Sequence, residues 1–112
     1  MNASPAAGRL TFRGAPPIPE VRFRIRWPDD RVDLCYSPSS VIRTVFEPGC
    51  AYPLADFLAR SEEGLNRASE RVRQVHGFAC SRAHHQLLSL RETAARYTDL
   101  PDAHVTVEAF ES

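Results

Sequence analysis

The side chains most able to do chemistry in this 112-residue chain are three cysteines and a short run of histidines. Cys80 precedes Ser81, a residue suited to capping a helix, and the helix dipole there lowers a thiol's pKa. Arg82 adds positive charge beside it, so Cys80 could serve as a nucleophile. The same thiol, following Phe78 and Ala79, also suits a small buried hydrophobe. Cys35 lies in an alternating stretch on the face that carries arginines, and Cys50 lies in a loop with no local partner. His76, Cys80 and His84 are spaced by four with His85 beside them, and such ligands can hold a transition metal. Gly77 breaks that register, and no carboxylate or second cysteine pair completes four ligands, so no metal is expected. No phosphate-cradling loop, dinucleotide fingerprint or nucleophile elbow is present, and no cofactor is expected.

All fourteen basic residues are arginines, a side chain suited to bidentate contacts with carboxylate or phosphate. They are scattered, and fourteen acidic residues bring the formal net charge to zero. That balance argues against a nucleic-acid binder, which needs excess positive charge to displace counterions. Glu62, Glu63, Arg67, Glu70, Arg71 and Arg73 alternate in sign at helical spacing, a salt-bridged solvent face rather than paired catalytic carboxylates. No apolar run approaches the ~20 residues of a membrane span. The start of the chain lacks the apolar core of a secretory signal. An odd cysteine count without paired spacing points to a reducing cytoplasm rather than a disulfide framework.

The elements that must position these residues follow from periodicity. Residues 1–18 hold Pro5, Pro16 and Pro17 among small residues, and a flexible proline-rich tail is expected there. A single domain is expected over 19–112. Val21, Phe23, Ile25 and Trp27 alternate with Arg22, Arg24 and Arg26, the pattern of a half-buried strand. Pro28-Asp29-Asp30 supplies a turn, and Val32, Leu34 and Tyr36 resume the alternation, completing a hairpin with Asp33 on the arginine face. Ser37-Pro38 then caps a short helix over 38–46, which Pro48-Gly49 ends. Leu54, Phe57, Leu58, Ser61, Leu65, Ala68, Val72 and Val75 form one helical stripe running from Pro53 to Gly77. Ser81 opens another, with Ala83, Leu87, Leu90, Ala94 and Tyr97. Val105, Val107 and Ala109 alternate as a final strand. Five arginines among residues 1–26 face four acids among residues 99–112, so the first and last strands should be neighbours. The expected fold class is therefore α+β, two layers: a three-stranded, mainly antiparallel sheet (β-β-α-α-α-β) packed against two long helices.

From Pro19 onward the chain resembles a family of small bacterial nitrogen-starvation-response proteins encoded within nitrilase gene clusters of the Nit1 type. The resemblance rests on Pro19-Glu20-Val21-Arg22-Phe23, Trp27-Pro28-Asp29, Cys35-Tyr36-Ser37-Pro38-Ser39, Phe46 through Pro48-Gly49, Tyr52-Pro53-Leu54, Ala68-Ser69-Glu70-Arg71-Val72 and Gly77-Phe78-Ala79-Cys80-Ser81. Glycine is usual in that family at the position of Asp30, which implies a strained hairpin turn here. The resemblance implies a setting: a cytoplasmic, non-enzymatic accessory protein that binds a protein of the same cluster or its small-molecule intermediate. The alternative is a small cysteine-dependent enzyme acting on a nitrile- or cyanide-derived intermediate. Cys35, Tyr36, Ser37, Cys80 and Ser81 are the candidate binding residues, because core packing does not account for all of them. No membrane and no nucleic acid are expected among the partners; a homodimer is among the assemblies considered.

Overall fold

A computed structural model describes residues 18–111; the expected tail, Ile18 apart, lies outside the described residues. Strand β1 (Val21–Arg26) buries Val21, Phe23 and Ile25 and turns its three arginines to the opposite face. Strand β2 (Val32–Ser37) pairs with it antiparallel. In the turn between them, Trp27 N–H donates to the Arg31 carbonyl at 2.8 Å and Asp30 N–H to the Trp27 carbonyl at 2.9 Å. Asp30 has φ 71°, a left-handed conformation that favours glycine, so the strained turn is present.

Strand β2 is inverted relative to the sequence expectation. Ser37 lies opposite Val21, Cys35 opposite Phe23 and Asp33 opposite Ile25, so these three share the inner face. Val32 and Leu34, expected inside, are 44% and 51% exposed beside the arginines. The two-residue period holds but its phase is reversed, which moves every side chain to the other face. Asp33 accordingly meets no arginine row; it accepts a hydrogen bond from Trp27 Nε1 at 2.7 Å.

The predicted helix over 38–46 is a five-residue 3-10 turn, Ser40–Thr44. Its cap is Ser39, whose Oγ accepts from Val41 N–H at 3.0 Å, rather than Ser37. Strand β3 (Cys50–Pro53) follows where a loop was expected. Four residues ending in proline carry no alternation signal, and pairing with the last strand holds them in place.

Helix α1 (Leu54–His76) begins after Pro53, with Asp56 in its first turn bonded to Arg60 at 2.9 Å. It ends at Gly77, whose N–H donates to the Arg73 carbonyl at 2.8 Å and whose φ of 86° turns the chain out of the helix. Helix α2 (Ser81–Ala94) spans 14 residues, so only one of the helices is long. A 3-10 turn (Ala95–Tyr97) leads to strand β4 (His104–Glu111).

The antiparallel sheet therefore has four strands, not three, in the order β2-β1-β4-β3. β4 lies beside β1, as the charge pattern requires: Arg26 Nε reaches Glu108 at 2.7 Å and Arg24 bonds Glu111. Both helices cover the face made by Val21, Phe23 and Ile25. Trp27 stacks on Tyr97 at 5.5 Å and meets Phe57 edge-on at 5.8 Å. The helical stripes interleave there, with Leu65, Leu87 and Leu90 buried.

Candidate functional site

The five candidate residues divide between the two faces of β2. Cys35 and Ser37 point into the core, 1% and 0% exposed, and belong to no surface. Ser37 Oγ donates to the Ser39 carbonyl at 2.8 Å, a bond internal to the strand's exit. Burial, reinforced by the Asp33 carboxylate, pushes the Cys35 thiol up, which removes it as a nucleophile. The inverted phase of β2 causes both departures from expectation.

Tyr36 projects the other way, and there the structure brings the two sequence segments together. β2 is an edge strand, and the edge-facing N–H of Tyr36 donates to Gln86 Oε1 on α2 at 2.9 Å. That bond fixes α2 against the sheet edge. The Arg82 guanidinium, one turn earlier on α2, lies over the Tyr36 ring at 3.8 Å from its centroid. The phenol O–H donates to Glu20 Oε2 at 3.1 Å, and Arg82 Nη1 stands 3.8 Å from the same carboxylate. Burial first, then Cys80 and Glu20, push the phenol up, so it stays a neutral donor.

Cys80 is half-buried at the cap position of α2, and its backbone N–H donates to Ser69 Oγ at 3.1 Å. Ser81 is exposed and makes no capping bond, so the expected Ser81 cap is absent and the position before it holds that place. Beside these residues a shallow concavity of about 310 Å³ is lined by Tyr36, Arg82, His85, Gln86 and Ser89. It offers a planar cation, an imidazole, a hydroxyl and the amide nitrogen of Gln86. These groups can donate hydrogen bonds to polar groups and carboxylates. Among the described residues no histidine or carboxylate hydrogen-bonds a cysteine thiol, and no three His, Cys, Asp or Glu side chains gather around a metal position.

Three contributors escaped the sequence reading as site members. Arg82 was visible only as a neighbour of Cys80. Glu20 stood out as the single acid among five arginines. Gln86 gave no signal at all, because its role depends on which strand lies at the sheet edge.

A family model described as nitrogen starvation-induced protein NitG matches residues 22–110. No curated protein and no solved structure matches the chain.

Proposed function

Because the chain belongs to the NitG family of nitrogen starvation-induced proteins, we propose that it is a non-enzymatic accessory protein of a nitrilase-type nitrogen-assimilation gene cluster. It works in the cytoplasm and binds a protein of that cluster through the Tyr36–Arg82 surface. The observation that carries this reading is the pair itself: an arginine lying over a tyrosine ring beside the Glu20 carboxylate, at a sheet edge. Tyrosine and arginine dominate the energetic centres of protein interfaces, and ordering them beforehand lowers the entropy lost on binding. Among the described residues no helix is long and apolar enough to cross a membrane, which is compatible with that setting.

The test is co-expression of the tagged chain with each protein encoded in the same cluster, followed by size-exclusion chromatography. One of them should co-elute with it. Tyr36→Ala and Arg82→Ala should each weaken that complex roughly tenfold or more, the loss expected at an interface centre. Failure of every cluster protein to bind overturns the reading. A complex indifferent to both substitutions moves the surface elsewhere.

A further inference from the structure

Part of the β2 edge is open, and the pairing phase identifies the groups left there. Tyr36 turns its N–H away from β1, since that N–H donates to Gln86 Oε1 on α2. β1 and β2 pair without a bulge, and in an antiparallel ladder residues bonded to the neighbour alternate with residues that face away. Leu34 and Val32, two and four residues before Tyr36, therefore also turn their N–H and C=O groups to the edge. Among the described residues no hydrogen bond reaches those groups. The side chains of Val32 and Leu34 stand half-exposed on the outer face, in one row with Tyr36.

The opposite edge is guarded. β3 is four residues long and ends in Pro53, which has no N–H to offer a further strand. β2 contains no proline, and its one charge, Asp33, points inward to the Trp27 indole. That charge guards against one occupant in particular, a second copy of the chain. Two β2 edges related by a twofold axis use all their free groups only when Val32 lies opposite the partner's Leu34. This register sets Asp33 directly against the partner's Asp33, a destabilising like-charge pair. The next register, Leu34 on Leu34, opposes Val32 to a Tyr36 whose N–H Gln86 already holds. A strand of different sequence meets neither obstacle.

We infer that this edge accepts an extended segment of another protein as a fifth strand, hydrogen-bonded to Val32 and Leu34. Its ladder stops where Gln86 closes the edge at Tyr36. The segment carries apolar side chains at alternate positions, which cover Val32 and Leu34 on the outer face. The inference rests on the accessory reading and deepens it: beside the Tyr36–Arg82 pair, the bound protein must present an unpaired stretch of backbone.

The full chain can be panned against a display library of random ten-residue peptides. Enriched peptides should share apolar residues at alternate positions. Binding one of them should protect the Val32 and Leu34 amides from hydrogen exchange, while Asp33 and Cys35, already in the β1 ladder, change little. N-methylation at alternate peptide amides should weaken binding about tenfold or more, and methylation of the intervening amides far less. Leu34→Pro removes one edge-facing N–H and leaves the β1 ladder its bonds, so it should keep its circular dichroism spectrum and lose the peptide. The methylation series needs only wild-type protein and decides the matter whether or not Leu34→Pro folds. A library that yields no binder overturns the inference, as do peptides indifferent to every N-methylation. Dimerisation of the peptide-free chain that Leu34→Pro abolishes also overturns it, in favour of a second copy. If no cluster protein co-elutes while the peptides show the methylation pattern, the accessory reading falls and the edge site stands. A cluster complex weakened by Tyr36→Ala but not by a folded Leu34→Pro keeps the accessory reading and overturns the edge site.

Discussion

The indole N–H of Trp27 donates to the Asp33 carboxylate across the β1–β2 turn at 2.7 Å. Trp27 is 1% exposed and is the largest fully buried side chain described, so its one polar atom needs a partner inside the fold. Asp33 supplies it from the inner face of β2, a position where a carboxylate has no other evident reason to be. Asp33→Ala should therefore cost about 1–3 kcal/mol by orphaning the indole, while Asp33→Asn, which keeps an acceptor, should cost less. Trp27 is the only tryptophan, so urea unfolding followed by intrinsic fluorescence measures both.

Gly64 faces the 3-10 turn from the middle of α1. A Cβ there would lie 2.6 Å from Ile42 Cδ1 and 2.8 Å from Val45 Cγ2. Ile42 can swing its terminal methyl aside, but Val45 is β-branched and cannot. Gly64→Ala gains about 1 kcal/mol of helix propensity and loses about 1–3 kcal/mol to overpacking. A net loss of stability is expected, and a raised denaturation midpoint would show that the 3-10 turn yields freely.

Leu65 is 1% exposed in the middle of the α1 stripe. Leu65→Ala should cost about 2–5 kcal/mol, from lost burial plus the cavity left behind. A chemical denaturation midpoint equal to the wild type's would contradict the core position.

Cys35 has its thiol pKa raised in the folded protein, by burial and then by Asp33. A raised folded pKa means the unfolded chain gives up its proton first as pH climbs. Stability from this group is thus fully present below about pH 8.5 and declines above it, by about 1.4 kcal/mol per pH unit for one thiol. Tyr36, also raised, adds to the decline only at higher pH, above its ordinary value near 10. Urea midpoints between pH 7 and pH 10 should fall in the wild type and fall less in Cys35→Ala. In the native state at neutral pH, exposed Cys50 should react with a thiol reagent long before Cys35.

Much of the architecture was legible because strong local signals agreed with the tertiary result. The Val21–Arg26 alternation, Asp56 after Pro53 and the Gly77 stop each mark an element that the structure contains. The opposite charges at the two ends of the chain correctly placed β4 beside β1. Phase and edge were not legible. Val32 and Leu34 advertise an inner face more loudly than Asp33, Cys35 and Ser37 do, yet register with β1 decides, and Trp27 needs Asp33 on its own side. Strand β3 is invisible for a related reason: its four residues are strand only because β4 offers them a ladder. At the candidate site, proximity of Tyr36 to residues 80–82 is purely tertiary, and Gln86 matters only because Tyr36 lies on an open edge.

The sheet order has a consequence for synthesis. β1 is flanked by β2, made within a dozen residues, and by β4, whose Glu111 meets Arg24 across 87 positions of sequence. While the ribosome is still building the helices, the hairpin has one free side, and Arg24 and Arg26 lack their β4 partners Glu111 and Glu108. The inner ladder can close only when residues 104–111 have left the exit tunnel. Folding must then be a late and largely all-at-once event governed by long-range pairing, slow for so short a chain. Until that moment the nascent protein carries an open strand edge, the feature that leaves a partly built sheet prone to pair with other chains.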